Sequence, residues 1–141
     1  MRYHVLTNEL IRLAGQTAKT LGHSCVEPVH LLLALLHQPG PAGQLLRTMG
    51  MDPALTRKLT AVLLGEGTPD LPLPQGLSGE SRWILRGAAE EAERSGCREI
   101  QPIHVLISLA RHPEETAGEI LLFSGVGKDA LFNNAVDYLQ W

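Results

Sequence analysis

His23, Cys25, His30 and His37 stand close together in the chain, and side chains of these kinds ligate zinc or activate a metal-bound water. A hydrolytic centre would need them on one wall of a pocket, and their spacing works against that. His30 and His37 share a face of an apolar segment, whereas His23 and Cys25 lie in the turn before it. Of the four, only His30 recurs later in the chain, as His104. No metal ligand and no cofactor is therefore expected. Ser24, Ser81, Ser95 and Ser124 lack the glycine-flanked elbow that exposes a nucleophile, and no His/Asp pairing accompanies them. The Gly127-Lys128 pair is followed by Asp129 and preceded by Leu122 where a phosphate loop needs glycine, so that mechanism of ATP binding is excluded. No catalytic residue is expected, and the chain reads as non-enzymatic.

What recurs is more informative than what could react. Glu27-Pro28-Val29-His30-Leu31-Leu32-Leu33 is answered 74 positions later by Gln101-Pro102-Ile103-His104-Val105-Leu106-Ile107. At the same offset Leu10, Ala14, Ala18 and Gly22 match Ile84, Ala88, Ala92 and Gly96, a set spaced as one face of a helix. After the apolar run the offset becomes 75, pairing Ala42, Gly43, Leu45, Leu46 and Gly50 with Ala117, Gly118, Ile120, Leu121 and Gly125. The chain is a tandem duplication with one residue inserted.

The 141 residues suit one domain with a sizeable core, 44% of them hydrophobic and few aromatic. A net charge of −3 and a pI near 6.0 offer no electrostatic footprint for nucleic acid or for an anionic membrane. Neither is expected as a partner. Cys25 and Cys97 occupy inequivalent places in the two repeats, and no leader or membrane-length apolar run is evident. Reduced thiols and a cytoplasmic location are expected.

Eight helices follow from periodicity and punctuation. The first runs from about His4 to Leu21 and ends at Gly22, and its small-residue row invites close approach of a second helix. Pro28 and Pro102 fit the first position of helices two and six, which are apolar almost all round and so buried. His30 and His104, near the third position, are read as capping or packing residues that bond a free backbone group of the first turn. Pro39-Gly40-Pro41 and His112-Pro113 end these helices, and short third and seventh helices run to Gly50 and Gly125. Asp52-Pro53 caps and opens helix four, which reaches about Leu64. Ser78 caps helix five, running to Ser95, and helix eight covers roughly Lys128 to Leu139. Repeat one is placed at about 1–65, an extended connection at about 66–77 with Leu71 and Leu73 tethering it, and repeat two at about 78–141.

With Leu21-Gly22-His23 and Ser95-Gly96-Cys97 ahead of each repeated histidine stretch, the chain resembles the amino-terminal domain of the Clp ring-forming unfoldases over nearly its whole length. The resemblance implies an all-α fold of two tandem four-helix repeats related by pseudo-twofold symmetry. It also implies a recognition role without catalysis, recruiting adaptor proteins or unfolded segments to a Clp-type ATPase ring. The competing expectation is a free-standing regulatory or scaffold protein that uses the fold for an unrelated partner. Some members of the family bind phosphorylated arginine through a glutamate just before the motif histidine, where this chain has Val29 and Ile103. Without those carboxylates a guanidinium loses its charge-assisted partner, so phosphoarginine recognition is expected to be absent or weak.

Val29 and Ile103 are read first as core, and second as the lining of an apolar peptide groove. Trp83, the one large aromatic at a charged helix start, is either packed against the connection or the first helix, or an exposed anchor for a partner. Glu90, Glu91 and Glu93, with Arg82, Arg86 and Arg94, are read as the solvated face of helix five, with Arg86 and Glu90 as an ion pair one turn apart.

Overall fold

A computed structural model describes residues 2–65, 76–112 and 115–139. Eight helices fall within them: α1 (Val5–Thr20), α2 (Pro28–His37), α3 (Pro41–Thr48), α4 (Pro53–Leu64), α5 (Gly79–Arg94), α6 (Pro102–Arg111), α7 (Glu115–Phe123) and α8 (Lys128–Leu139). The tether expected of Leu71 and Leu73, and Pro113 of the second helix break, lie outside the described residues.

Helix boundaries follow local chemistry. Asp52 and Ser78 accept hydrogen bonds from first-turn amides of α4 and α5, satisfying donors that the helix leaves free. At the other end of α1, Gly22 takes a left-handed φ of 75°, its N–H reaching the Lys19 carbonyl and that of His23 the Ala18 carbonyl. Gly96 repeats this closure at the end of α5, with φ 72° and Cys97 N–H on the Ala92 carbonyl. These are Schellman closures, in which a side chain at the glycine would be strained.

The small-residue rows do what their spacing predicts. Leu10, Ala14 and Ala18 of α1 are fully buried against α2, as Ile84, Ala88 and Ala92 of α5 are against α6. α2 and α6 contact each other at the centre, and nearly every side chain of both is buried. One spot differs between the halves. Leu13 and Ala34 of repeat one correspond to Gly87 and Ser108, and a Cβ on Gly87 would come within 2.5 Å of the Ser108 hydroxyl. That hydroxyl donates to the Ile84 carbonyl at 2.7 Å.

The halves are interlocked rather than adjacent. α4 packs on α7 of the second repeat, and α8 on α3 of the first. Two very short parallel pairings, absent from the sequence reading, complete the exchange. β1 (Arg2–Tyr3) lies beside β2 (Glu99–Ile100), and Val26 bridges Leu77. Each pairs the segment entering one repeat's first helix with the segment entering the other repeat's second helix. The bonds match in kind: His4 N–H donates to the Ile100 carbonyl at 3.0 Å, and Ser78 N–H to the Val26 carbonyl at 2.9 Å. The Thr7 and Ser81 hydroxyls, each buried, donate to those same two carbonyls at 2.6 and 2.7 Å.

Candidate functional site

The repeated histidines close the first turns of α2 and α6. Glu27 N–H donates to His30 Nδ1 at 2.8 Å, and Gln101 N–H to His104 Nδ1 at 2.9 Å. Each imidazole thus supplies the back-bond that a Glu or Gln makes in a capping box. Because Nδ1 accepts, the proton of a neutral ring sits on Nε2, and the two repeats use that donor differently. His30 Nε2 lies 2.8 Å from His23 Nδ1, and His23 Nε2 lies 2.6 Å from the Gly65 carbonyl. One direction of donation satisfies the whole series, from the Glu27 amide through two rings to the residue that follows α4. Burial, with His23 nearby as a second cause, pushes the His30 pKa down to about 4. His104 instead meets the Ser95 hydroxyl at 3.3 Å, and its pKa is also lowered, by burial working against the attraction of Glu91.

The bonds on these Nδ1 atoms are those of helix closure. Among the described residues no group of three or more His, Cys, Asp or Glu is placed to hold a metal. His37 is exposed at the end of α2, away from His30 in the interior. The Cys25 thiol donates to Glu27 Oε1 at 3.2 Å, and its pKa is raised by burial and then by that carboxylate, the opposite of nucleophile activation.

The expected solvated face of α5 needs correcting at one residue. Glu91 is only 7% exposed, and its Oε1 accepts from Arg111 Nε at 2.7 Å and from Arg94 Nη1 at 3.1 Å. The proposed Arg86–Glu90 ion pair does not form among the described residues, where the ion pairs are Glu9–Arg12, Glu91–Arg94 and Glu91–Arg111. A carboxylate one turn from an arginine reads as a surface pair in the sequence; its burial depends on α6 bringing Arg111 from 20 residues further on. Arg111 also lies 4.7 Å from the centre of the Phe132 ring of α8, a cation–π distance. Together with Val136 and Leu139 these side chains border a pocket of about 390 Å³.

The sequence matches the Clp repeat (R) N-terminal domain family over residues 2–123. The chain belongs to this family. This Clp N domain is 33% identical over 129 residues to the chaperone protein ClpB of Mycobacterium tuberculosis, covering 89% of this chain and 15% of ClpB. It is 28% identical over 114 residues to the ClpA homolog of Guillardia theta, an ATP-binding subunit of an ATP-dependent Clp protease, covering 80% of this chain and 14% of that protein. The Clp N domain thus spans about one-seventh of the length of these relatives. In fold it is similar to the N-terminal domain of ClpD from Arabidopsis thaliana, with a TM-score of 0.84 at 23% identity, covering 99% of this chain and 96% of that one. The N-terminal domain of Hsp104 from Candida albicans gives 0.76 at 17% identity, covering 98% and 91%.

Of the residues singled out for partner binding, Val29 of the Clp N domain is fully buried, a core position. Without exposed surface it offers nothing to a peptide groove. Ile103, 3% exposed, borders a cleft between the halves with room for only about 60 Å³, far below the volume of ligand pockets. Trp83 is 58% exposed, its ring meeting His112 edge-on at 6.4 Å between centres. Val29 and Ile103 both belong to the hydrophobic core, whereas Trp83 lies on the surface.

Proposed function

We propose that this Clp N domain recruits adaptor proteins or unfolded protein segments to a Clp-type ATP-dependent unfoldase, performing no catalysis itself. The observation that supports this is family membership over residues 2–123, coupled with a fold shared by the N-terminal domains of Clp-class chaperones. Binding would raise the local concentration of a client at the ring without any change in the ring's own chemistry. The two repeats with their connection act as one unit in this reading, in the cytoplasm, and neither nucleic acid nor membrane is a partner. No helix among the described residues is long and apolar enough to cross a membrane.

Trp83 is the proposed contact, since an exposed indole on a helix start supplies a large rigid surface with a polar edge. The test is capture from source cytosol on the immobilised chain, with the Trp83→Ala protein beside it and the retained proteins identified by mass spectrometry. Small adaptors or aggregation-prone clients, lost with Trp83→Ala, are expected. Recovery of the ATPase ring itself, or of proteins unrelated to unfolding, would instead identify a free-standing regulator. A calorimetric titration with phosphoarginine should give no tight binding, because Val29 and Ile103 stand where a carboxylate would be needed.

A further inference from the structure

The two halves of the duplication act as controls for each other, and the Glu91 cluster is a place where their charged residues differ. At the repeat offset Glu91, Arg94 and Arg111 correspond to Thr17, Thr20 and His37, and Phe132 and Val136 to Arg57 and Ala61. In repeat one Thr17 and Thr20 simply return their hydroxyls to the Leu13 and Gln16 carbonyls of their own helix. The fold is thus built once without a carboxylate or an ion pair among these positions. Withdrawing a carboxylate from water is unfavourable even when it is paired, and a buried ion network seldom stabilises more than apolar packing would. The folding of repeat two gives no reason for Glu91, Arg94 and Arg111.

Their geometry gives another reason. Both arginines engage the same oxygen of Glu91, so two cations share one carboxylate and the group carries a net positive charge. Arg111 bonds through Nε and Arg94 through Nη1, and among the described residues their remaining guanidinium nitrogens have no other hydrogen bond. Glu91 holds the donors in place, and Phe132, Val136 and Leu139 supply an apolar wall beside them. At about 390 Å³ the space lies at the small end for ligand pockets. It suits a chain end better than a segment passing through. A mid-chain acidic side chain would bring flanking backbone amides out of water without partners, whereas a terminal carboxylate brings one anion that guanidinium donors match.

We infer that the pocket between α5, α6 and α8 binds the C-terminal carboxylate of an unstructured polypeptide whose last side chain is large and apolar. The carboxylate takes the free donors of Arg94 and Arg111, and the side chain lies against Phe132, Val136 and Leu139. This deepens the recruitment reading and rests on it. It adds that clients are selected by their C-terminal ends, on the second repeat alone.

The test uses the whole 141-residue chain and an unstructured fluorescent peptide of about ten residues ending in Leu-Phe, prepared as the free acid and as the C-terminal amide. The free acid is expected to bind at least about tenfold more tightly than the amide, the ratio expected from charged hydrogen bonds. Arg94→Gln, at an exposed position, should weaken the acid several-fold and leave the amide unchanged. Val136→Glu, which brings into the pocket a charge of the same sign as the peptide's carboxylate, should abolish the preference. Amide-resonance shifts should centre on Arg94, Arg111, Phe132 and Val136. Equal binding of acid and amide, shifts centred elsewhere, or no binding of either peptide overturns the assignment. The capture experiment reads recruitment without reference to this pocket, so adaptor recovery there alongside failure here would discard the pocket alone.

Discussion

His30 and His104 make the same bond and then part company. Each closes the first turn of its central helix by accepting the N-cap amide, at distances within 0.1 Å of one another. Beyond that bond, repeat one continues through His23 to the Gly65 carbonyl, while repeat two passes through the Ser95 hydroxyl to the Glu91 carbonyl of α5. The difference separates what the fold requires from what it tolerates. An acceptor at N3 is required in both halves, because the amide it satisfies is otherwise left without a partner at the start of a buried helix. The second ring nitrogen needs only some acceptor, and two unrelated ones serve.

The comparison breaks most visibly if the cores of the two halves are unequal. Leu32 and Leu106 are equivalent and both essentially inaccessible to water. Truncating either to alanine should lower stability by roughly 2–5 kcal/mol, through lost burial and the cavity left behind. Urea denaturation would measure it. Because the halves interlock, each variant should show one transition; two transitions in either would mean the repeats unfold separately.

Acid sharpens the contrast between the histidines. His30 is held neutral in the folded chain with a pKa of about 4, against about 6.5 when unfolded, so the folded state binds fewer protons between those values. Its stabilising contribution is complete above pH 6.5 and is lost as the pH falls towards 4, by an amount on the order of 3 kcal/mol. His30→Gln keeps an acceptor at N3 but has no proton to gain. Its stability, followed by urea midpoints from pH 7 to pH 4, should fall less steeply than that of the parent chain. Parallel profiles would remove His30 as the titrating group.

These contrasts also mark where the sequence was legible. The eight helices, their proline starts and their glycine ends could be read because each signal is local: a cap, a fixed φ, a period of 3.6 residues. His30 and His104 could be read as caps for the same reason. The burial of Glu91 could not, since charge on a helix face looks alike whether or not Arg111 arrives from another helix to meet it. Nor could the exchange of β1 and β2, because Arg2–Tyr3 and Glu99–Ile100 are too short to show the alternation that identifies a strand. What positions both features is long-range packing, which the duplication announces without describing.

The smallest expected effect tests the exchange itself. Thr7 and Ser81 occupy equivalent sites in the two halves and send their hydroxyls to Ile100 and Val26 across the pairing. Removing either hydroxyl, as Thr7→Val or Ser81→Ala, leaves no carbonyl without a donor, because His4 and Ser78 N–H groups still reach those oxygens. The loss should therefore stay at about 0.5–1.5 kcal/mol for each, the net value of one hydrogen bond, rather than rise to the cost of an unsatisfied buried acceptor. The two sites share no partner, so the double variant should lose the sum, measured by urea denaturation. A loss well above the sum would mean that the two pairings hold one another in place. The exchange would then be a single cooperative clasp, with neither half able to keep its own pairing once the other is weakened.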